Sequence, residues 1–244
     1  MLAFIGGTGL TRMAGLDIQR TEMLETEWGE PSSAVVFGEL AGTPVLFLAR
    51  HGDPHVLLPH QVNYRANMAA LRQAGATAVV AVNAVGGISA DAMSGVIVVP
   101  DQIIDYTWGR ETTYFDKGAG PVTHVDFSWP FDDKLRARLM AALEEVDAPR
   151  VEQGCYAATQ GPRLETAAEI RRLERDGATI VGMTGMPEAV LARELSLPYA
   201  MLSLVVNPAA GKADTEITMA EIEAVIHSGM SQVTDALTAL VAAS

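Results

Sequence analysis

Residues 74–100 are almost wholly apolar, and the way that stretch is interrupted decides what it can become. Asn83, the pair Gly86-Gly87 and Asp91 break it, so it falls short of the roughly 18 uninterrupted apolar residues a membrane span needs. What remains is two short runs, Ala78-Val-Val-Ala-Val82 and Val96-Ile-Val-Val99, each with the length of a buried strand, joined by a polar, glycine-bearing turn. The chain repeats this arrangement. Leu2-Ala-Phe-Ile5 ends in glycines, Val45-Leu-Phe-Leu48 runs into Arg50-His51, Thr179-Ile-Val181 into Gly182, and the apolar run 200–206 into Asn207.

Between these runs lie helical spacings. Residues 62–73, 134–146, 166–175 and 188–195 read as helices, and 218–241 as a last helix bent at Gly229. Ala34-Val-Val-Phe37 and Val45-Leu-Phe-Leu48 flank Gly42-Thr43-Pro44 as the arms of a hairpin. The alternation predicts an α/β domain around a mostly buried sheet. No linker, repeat or low-complexity segment divides it, so one domain over 1–244 is expected. Residues 107–130 have no period but carry Trp108, Tyr114, Phe115, His124, Phe127 and Trp129; an aperiodic segment of that length usually serves function or covers a partner. The only cysteine, Cys155, sits in an apolar run and reads as inert core.

Charge narrows the partners. Lys and Arg number 17 against 30 Asp and Glu, a formal net charge of −13, which repels nucleic acid and anionic membrane. One cysteine excludes an intrachain disulfide and a multi-cysteine metal site. A start without a basic region, its apolar run stopping at Gly6, does not read as a targeting signal, and a reducing cytoplasm is the expected compartment.

The polar clusters at the strand ends are the candidate chemistry. Gly6-Gly7-Thr8-Gly9 lets backbone N–H groups approach an anion and adds a hydroxyl, or is simply a tight turn; Arg12 stands where a dinucleotide fingerprint needs glycine. Arg50 offers a fork of donors suited to phosphate. His51 and His55 are spaced as helical metal ligands, but Gly52 and Pro54 between them oppose a helix. Asn83-Ala84-Val85-Gly86-Gly87 is either a second backbone cradle or a plain turn. Glu165 is by default a favourable acid in the first turn of a helix. Pro187 and Glu188 suit a helix start, Met183 and Met186 suit core filling, and Asn207 suits a turn. No Gly-x-Ser-x-Gly nucleophile elbow occurs.

In this order, and with Pro59-His-Gln-Val-Asn-Tyr-Arg-Ala-Asn67 and Asp101-Gln-Ile-Ile-Asp105 between them, these clusters resemble the trimeric purine nucleoside phosphorylase and methylthioadenosine phosphorylase family from Ile5 to about Ile222. The resemblance implies a mixed central sheet with a distorted barrel surrounded by helices, and a trimer, with a dimer of trimers as the larger alternative. It implies that phosphate, as co-substrate and with no cofactor or metal, attacks C1′ of a purine nucleoside while the base leaves. By matching positions, Thr8, Arg50, His51, Ala84 and Thr184 would hold phosphate through hydrogen bonds and one positive charge. His55 would lie near phosphate or sugar, Met183 under the ribose, and His124 would reach a neighbouring subunit's site at the sugar's 5′ end.

The base is chosen by donors and acceptors. Methylthioadenosine enzymes carry a small serine and aspartates where this chain has Glu165 and Asn207, which resemble the 6-oxopurine enzymes. Hypoxanthine and guanine present an N1–H donor to the Glu165 carboxylate, whereas adenine presents a bare acceptor; Asn207 can donate to N7 or O6. Leu164 replaces an aromatic residue common in the family. At the 5′ end, Ile217-Thr218-Met219 makes an apolar wall, with Met219 suited to a methylthio group rather than a hydroxyl. Together these features point to S-methyl-5′-thioinosine as the nucleoside, with inosine or guanosine, then methylthioadenosine, then a nucleoside-binding protein without catalysis as alternatives.

Overall fold

A computed structural model describes residues 1–116, 123–213 and 217–243. Its spine is β5 (Ala78–Gly87), the polar-ended run from the middle of the apolar stretch. Along Ala78–Ala81 one edge of β5 pairs in parallel with β1 (Leu2–Gly6), and at Gly86 and Gly87 the same edge pairs antiparallel with β10 (Ile180–Gly182). The opposite edge pairs in parallel with β11 (Tyr199–Pro208) over nearly its full length. No strand covers the first edge between Ala81 and Gly86, among the described residues. The sheet therefore forks there, and the fork places the site.

The two arms of the fork carry the remaining strands. Beyond β1 lie β4 (Thr43–Ala49), β3 (Val35–Leu40) and β2 (Asp17–Glu22); beyond β10 lie β9 (Cys155–Ala158) and β7 (Gln102–Asp105). The short β6 (Ile97–Val98) and β8 (Arg150–Val151) extend the sheet past β11. This is the expected mixed α/β sheet with helices around it, and no ladder among the described strands closes it into a ring. The hairpin β3–β4 turns through Ala41 and Gly42, both at positive φ (49° and 76°), one residue earlier than the glycine-proline cluster suggested.

Period-2 alternation divides the strand side chains between two cores. Ala3, Ile5, Val79 and Ala81 face α1 (Tyr64–Gln73) and α4 (Gly185–Glu194). Phe4, Val80, Val82 and Leu204 face α2 (Asp133–Glu145) and α5 (Met219–Ala242). The smaller α3 (Ala167–Arg175) packs Ile170 and Leu173 against Val181.

Three expectations are corrected. The last helix runs unbroken through Gly229, which is buried against Leu204, and an added Cβ would lie 2.7 Å from that side chain; the glycine lets α5 approach β11 rather than bending it. Cys155 opens β9 half-buried, not in the core, and burial, then the Asp101 charge, pushes its thiol pKa up. The strand read over 96–99 shrinks to two residues. The edge strand β2 carries no sequence signal because all six of its residues are exposed and mostly polar, as suits an edge. Among the described residues, no helix is long and apolar enough to cross a membrane.

Candidate active site

A cavity of about 400 Å³ opens at the fork. Gly7 and Thr8 reach it from the end of β1, Arg50 and His51 from the end of β4, and Asn83 and Ala84 from the uncovered edge of β5. Met183 and Thr184 follow β10, Asn207 ends β11, and Met219 begins α5. His55, Leu164 and Glu165 come from loops. All the candidate residues named from the sequence line this one cavity except His124, which is exposed on the aperiodic segment, outside this wall. Ligand sites at strand ends where strand order reverses are a general property of α/β sheets.

Arg50 is fully buried. Its Nε donates to Glu188 Oε2 (2.7 Å), Nη2 to Glu188 Oε1 (2.9 Å) and Nη1 to the Val82 carbonyl (3.1 Å), which the fork leaves free of a strand partner. A guanidinium has five N–H donors, so two remain for a ligand. Burial works against the charge, but the Glu188 carboxylate outweighs it and raises the Arg50 pKa. Arg50 carries the expected positive charge, but a buried carboxylate offsets it, so the site offers directed donors with little net charge. Gly7 makes room for this, since a Cβ there would lie 2.7 Å from Arg50 Nη1. Beside it, Asn83 Nδ2 donates to Thr184 Oγ1 (2.7 Å), which leaves the Thr184 hydroxyl proton to donate elsewhere, while the buried Asn83 Oδ1 has no partner among the described residues.

His51 hydrogen-bonds the Leu57 carbonyl through Nδ1 (2.8 Å). A carbonyl only accepts, so Nδ1 carries the proton and a neutral ring keeps Nε2 as an acceptor. Burial first, then the Arg50 charge, lowers the His51 pKa to about 4. The His51 and His55 rings stack face to face with centroids 4.5 Å apart, and burial lowers the His55 pKa as well. Among the described residues no group of three or more His, Cys, Asp or Glu side chains is gathered to hold a metal ion. The His51 shift makes stability pH-dependent. The unfolded histidine takes up a proton near pH 6.5 while the folded one stays neutral to about pH 4, so stability is complete above pH 6.5 and is lost as pH falls towards 4. The loss attributable to this ring is about 3 kcal/mol. Thermal unfolding across that interval should show the wild-type slope flattened in His51→Gln; an equal slope in both would assign the loss elsewhere.

At the other wall, Glu165 stands one residue before the N-cap of α3, so it is not the first-turn acid of the default reading. Thr166 is the cap and Glu169 closes the capping box. Glu169 also takes both Arg163 nitrogens at 2.8 Å, which leaves Glu165 to a different partner: its Oε1 accepts from the Thr159 hydroxyl (2.7 Å). Asn207 lies at a bulge in β11, opposite Gly86, and its Nδ2 donates to the Pro208 carbonyl (2.6 Å), leaving one N–H and Oδ1 uncommitted. From Asn83 to Gly86 along β5 is three residues, roughly 10 Å. Met183 lines the cavity and lies close against Gly161, where a Cβ would lie 2.4 Å from its sulfur. Leu164 and Met219 are exposed at the mouth.

Residues 2–242 match the Phosphorylase superfamily. The chain belongs to this superfamily. It is 57% identical to the probable S-methyl-5′-thioinosine phosphorylase of Pseudomonas syringae pv. tomato, over 99% of this chain and 98% of that one. It is 42% identical to the probable 6-oxopurine nucleoside phosphorylase of Thermococcus kodakarensis, over 91% of this chain and 84% of that one. Among solved structures it resembles the methylthioadenosine phosphorylase from Schistosoma mansoni in complex with adenine, with a TM-score of 0.94 and 29% identity over 99% of this chain and 90% of that one.

In this superfamily member the sequence reading misses two polar groups at the core of the site. Glu188 is completely buried, pairs with Arg50 and accepts from the Tyr199 hydroxyl (2.7 Å); behind a proline it looks in sequence like a solvated helix-start acid. Asn83, read from the sequence as part of a backbone cradle or a turn, lies within β5 and is the donor that sets the Thr184 hydroxyl. The signal for Glu188 is its setting: Pro187, Ala189, Val190 and Leu191 surround it with apolar positions.

Proposed function

We propose that the chain is a pentosyltransferase that cleaves S-methyl-5′-thioinosine with inorganic phosphate, giving hypoxanthine and 5-methylthioribose 1-phosphate. The observation that carries this reading is the joint placement of Arg50 with Thr184 and of Glu165 with Asn207 on one cavity. Donors for an anion and a carboxylate–amide pair for a 6-oxopurine occupy the same space.

Phosphate is the nucleophile, so no side chain needs to be one. It is held by Thr8, the free Arg50 N–H groups, the Ala84 backbone and the Thr184 hydroxyl. His51, with its Nδ1–H given to Leu57, offers Nε2 as acceptor to the protonated oxygen of hydrogen phosphate. As a phosphate oxygen bonds to C1′, the C1′–N9 bond breaks, its electron pair passes to the purine, and the purine anion takes up one proton from solvent to leave as hypoxanthine. Glu165 accepts from N1–H, and Asn207 donates to N7 as negative charge builds there. Leu164 packs on the base and Met183 beneath the sugar, with His55 beside phosphate or sugar. Met219 and Ile217 give the 5′ methylthio group an apolar wall. Catalysis is positioning plus stabilisation of the departing base. The enzyme works as a cytoplasmic homotrimer in which His124 completes a neighbour's site; the exposure of His124 away from its own cavity supports this.

A phosphorolysis panel of methylthioinosine, inosine, methylthioadenosine and adenosine at matched concentrations, with and without phosphate, tests the reading. The expected result is phosphate-dependent release of hypoxanthine, fastest from methylthioinosine. A preference for methylthioadenosine would overturn the Glu165–Asn207 argument, a preference for inosine the apolar 5′ wall, and binding without turnover the enzymatic reading itself.

A further inference from the structure

We propose that Arg110 is a positioning residue that locks the base-recognising turn to the turn carrying the sugar floor and the phosphate donor, so that one side chain sets both. The inference rests on the function proposed above and adds to it a residue that does not line the cavity.

Arg110 lies on the aperiodic segment, and its guanidinium is surrounded by acceptors. Nη1 donates to the carbonyls of Met183 (2.8 Å) and Met186 (2.6 Å). Nη2 donates to the carbonyls of Gln160 (2.9 Å) and Thr159 (3.3 Å), and Nε to Gln160 Oε1 (3.3 Å). These acceptors are all amide carbonyls, and the Tyr64 hydroxyl is a longer contact of Nη1 at 3.4 Å. Arg50 is held by a carboxylate; Arg110 is held mainly by backbone, and a guanidinium bound this way acts as a brace between segments.

The braced segments are the two that matter. Strands β9 and β10 are parallel neighbours, and the turns that leave their ends carry the two halves of the site. After β9 comes Thr159, whose hydroxyl holds Glu165. After β10 come Met183 and Thr184, then Met186, whose φ/ψ of −118°/139° is non-helical and turns its carbonyl out of the α4 ladder towards Arg110. Two residues later stands Glu188, which holds Arg50. A shift of Arg110 is therefore passed to the N1–H acceptor in one direction and to the phosphate donors in the other.

Lysine keeps the charge but has one nitrogen and cannot span both turns. In Arg110→Lys, kcat/KM for methylthioinosine should fall about 100-fold, as displacement of a site by about an ångström does. KM for phosphate should rise, and the preference for 6-oxopurine over 6-aminopurine nucleosides should shrink about tenfold, since the Glu165 carboxylate loses its register. In Arg110→Ala, added guanidinium should restore part of both the rate and the preference. A residue that only supports the fold would lower every rate in the same proportion with both KM values unchanged; that outcome, unchanged kinetics, or failure of both variants to fold overturns the proposal. The wild type is assayed in parallel. If it cleaves no nucleoside, the functional reading fails, and Arg110 is then judged by calorimetric binding of inorganic phosphate and hypoxanthine. Equal affinity for both in wild type and Arg110→Lys overturns the inference by itself.

Discussion

Replacing Glu188 by alanine should cost about 3–5 kcal/mol of stability, the penalty for stranding a buried charge. For a chain of this length that is a fall of roughly 10 °C in Tm. Arg50 and Glu188 are both fully buried and joined by two hydrogen bonds, and Tyr199 adds a third to the same carboxylate. Removing the carboxylate leaves the guanidinium with one backbone carbonyl and no counter-charge, and it leaves the Tyr199 hydroxyl without its acceptor. Phosphate can then supply the missing counter-charge to Arg50, so added phosphate should raise the Tm of Glu188→Ala by more than it raises the wild type's. The triple replacement Arg50→Met, Glu188→Leu and Tyr199→Phe should recover part of the lost stability, because a buried ion pair exchanged for packed apolar groups is often neutral or better once the Tyr199 hydroxyl is removed with it, leaving only the Val82 carbonyl unpaired. It should not recover phosphorolysis, since the donors to phosphate are gone. Thermal unfolding of the single and triple variants, with and without phosphate, checks this. A Tm for Glu188→Ala within a degree or two of the wild type would mean that the pair does not hold the site together.

That pair also marks the boundary of what the sequence could reveal. Strands such as β1, β5 and β11 were legible because they are buried on both faces and read as continuous apolar runs. Thr8, Arg50, His51 and Asn207 were legible because each stands where such a run stops, and a polar group at the end of a buried strand either caps it or faces a ligand; His55, Leu164, Glu165 and Met219 were assigned to the site only through the family resemblance. The choice of purine came from the resemblance of Glu165 and Asn207 to the 6-oxopurine enzymes, which donor and acceptor counting at those two residues supports. What stayed hidden depends on contacts without local signal. Arg50 meets Glu188 across 138 positions, so neither residue reports the other. The fork that leaves the Val82 carbonyl free arises from β1 and β10 sharing one edge of β5, a fact of topology rather than composition. Arg110 in an aperiodic loop looks like any exposed cation until its acceptors are known, and Gly229 looks like a bend until Leu204 is found against it.

Asn207→Asp should move the base preference of the enzyme from 6-oxopurines towards 6-aminopurines while lowering its rate on methylthioinosine by about 10²–10³-fold, the scale of losing one donor to developing negative charge. The amide can donate to N7 or O6 of hypoxanthine; a carboxylate in its place can only accept, and it would face those acceptors with repulsion. Adenine differs at that edge, because its 6-amino group donates, so the same carboxylate gains a partner there. The substitution also removes the N–H that Asn207 gives to the Pro208 carbonyl, and it puts a second carboxylate on the wall that holds Glu165. Two like charges on one cavity raise the pKa of at least one of them. Once protonated, the introduced carboxyl group can again donate to N7, so the residual rate on 6-oxopurines should rise as pH is lowered, with no matching rise in the wild type. Relative kcat/KM values for methylthioinosine and methylthioadenosine across pH measure the effect, and a shift in their ratio of about tenfold or more is expected. An unchanged ratio would remove Asn207 from the base and leave Glu165 alone to distinguish the purines, in which case Glu165→Gln, which can donate to the bare N1 of adenine, is the variant that must show the shift.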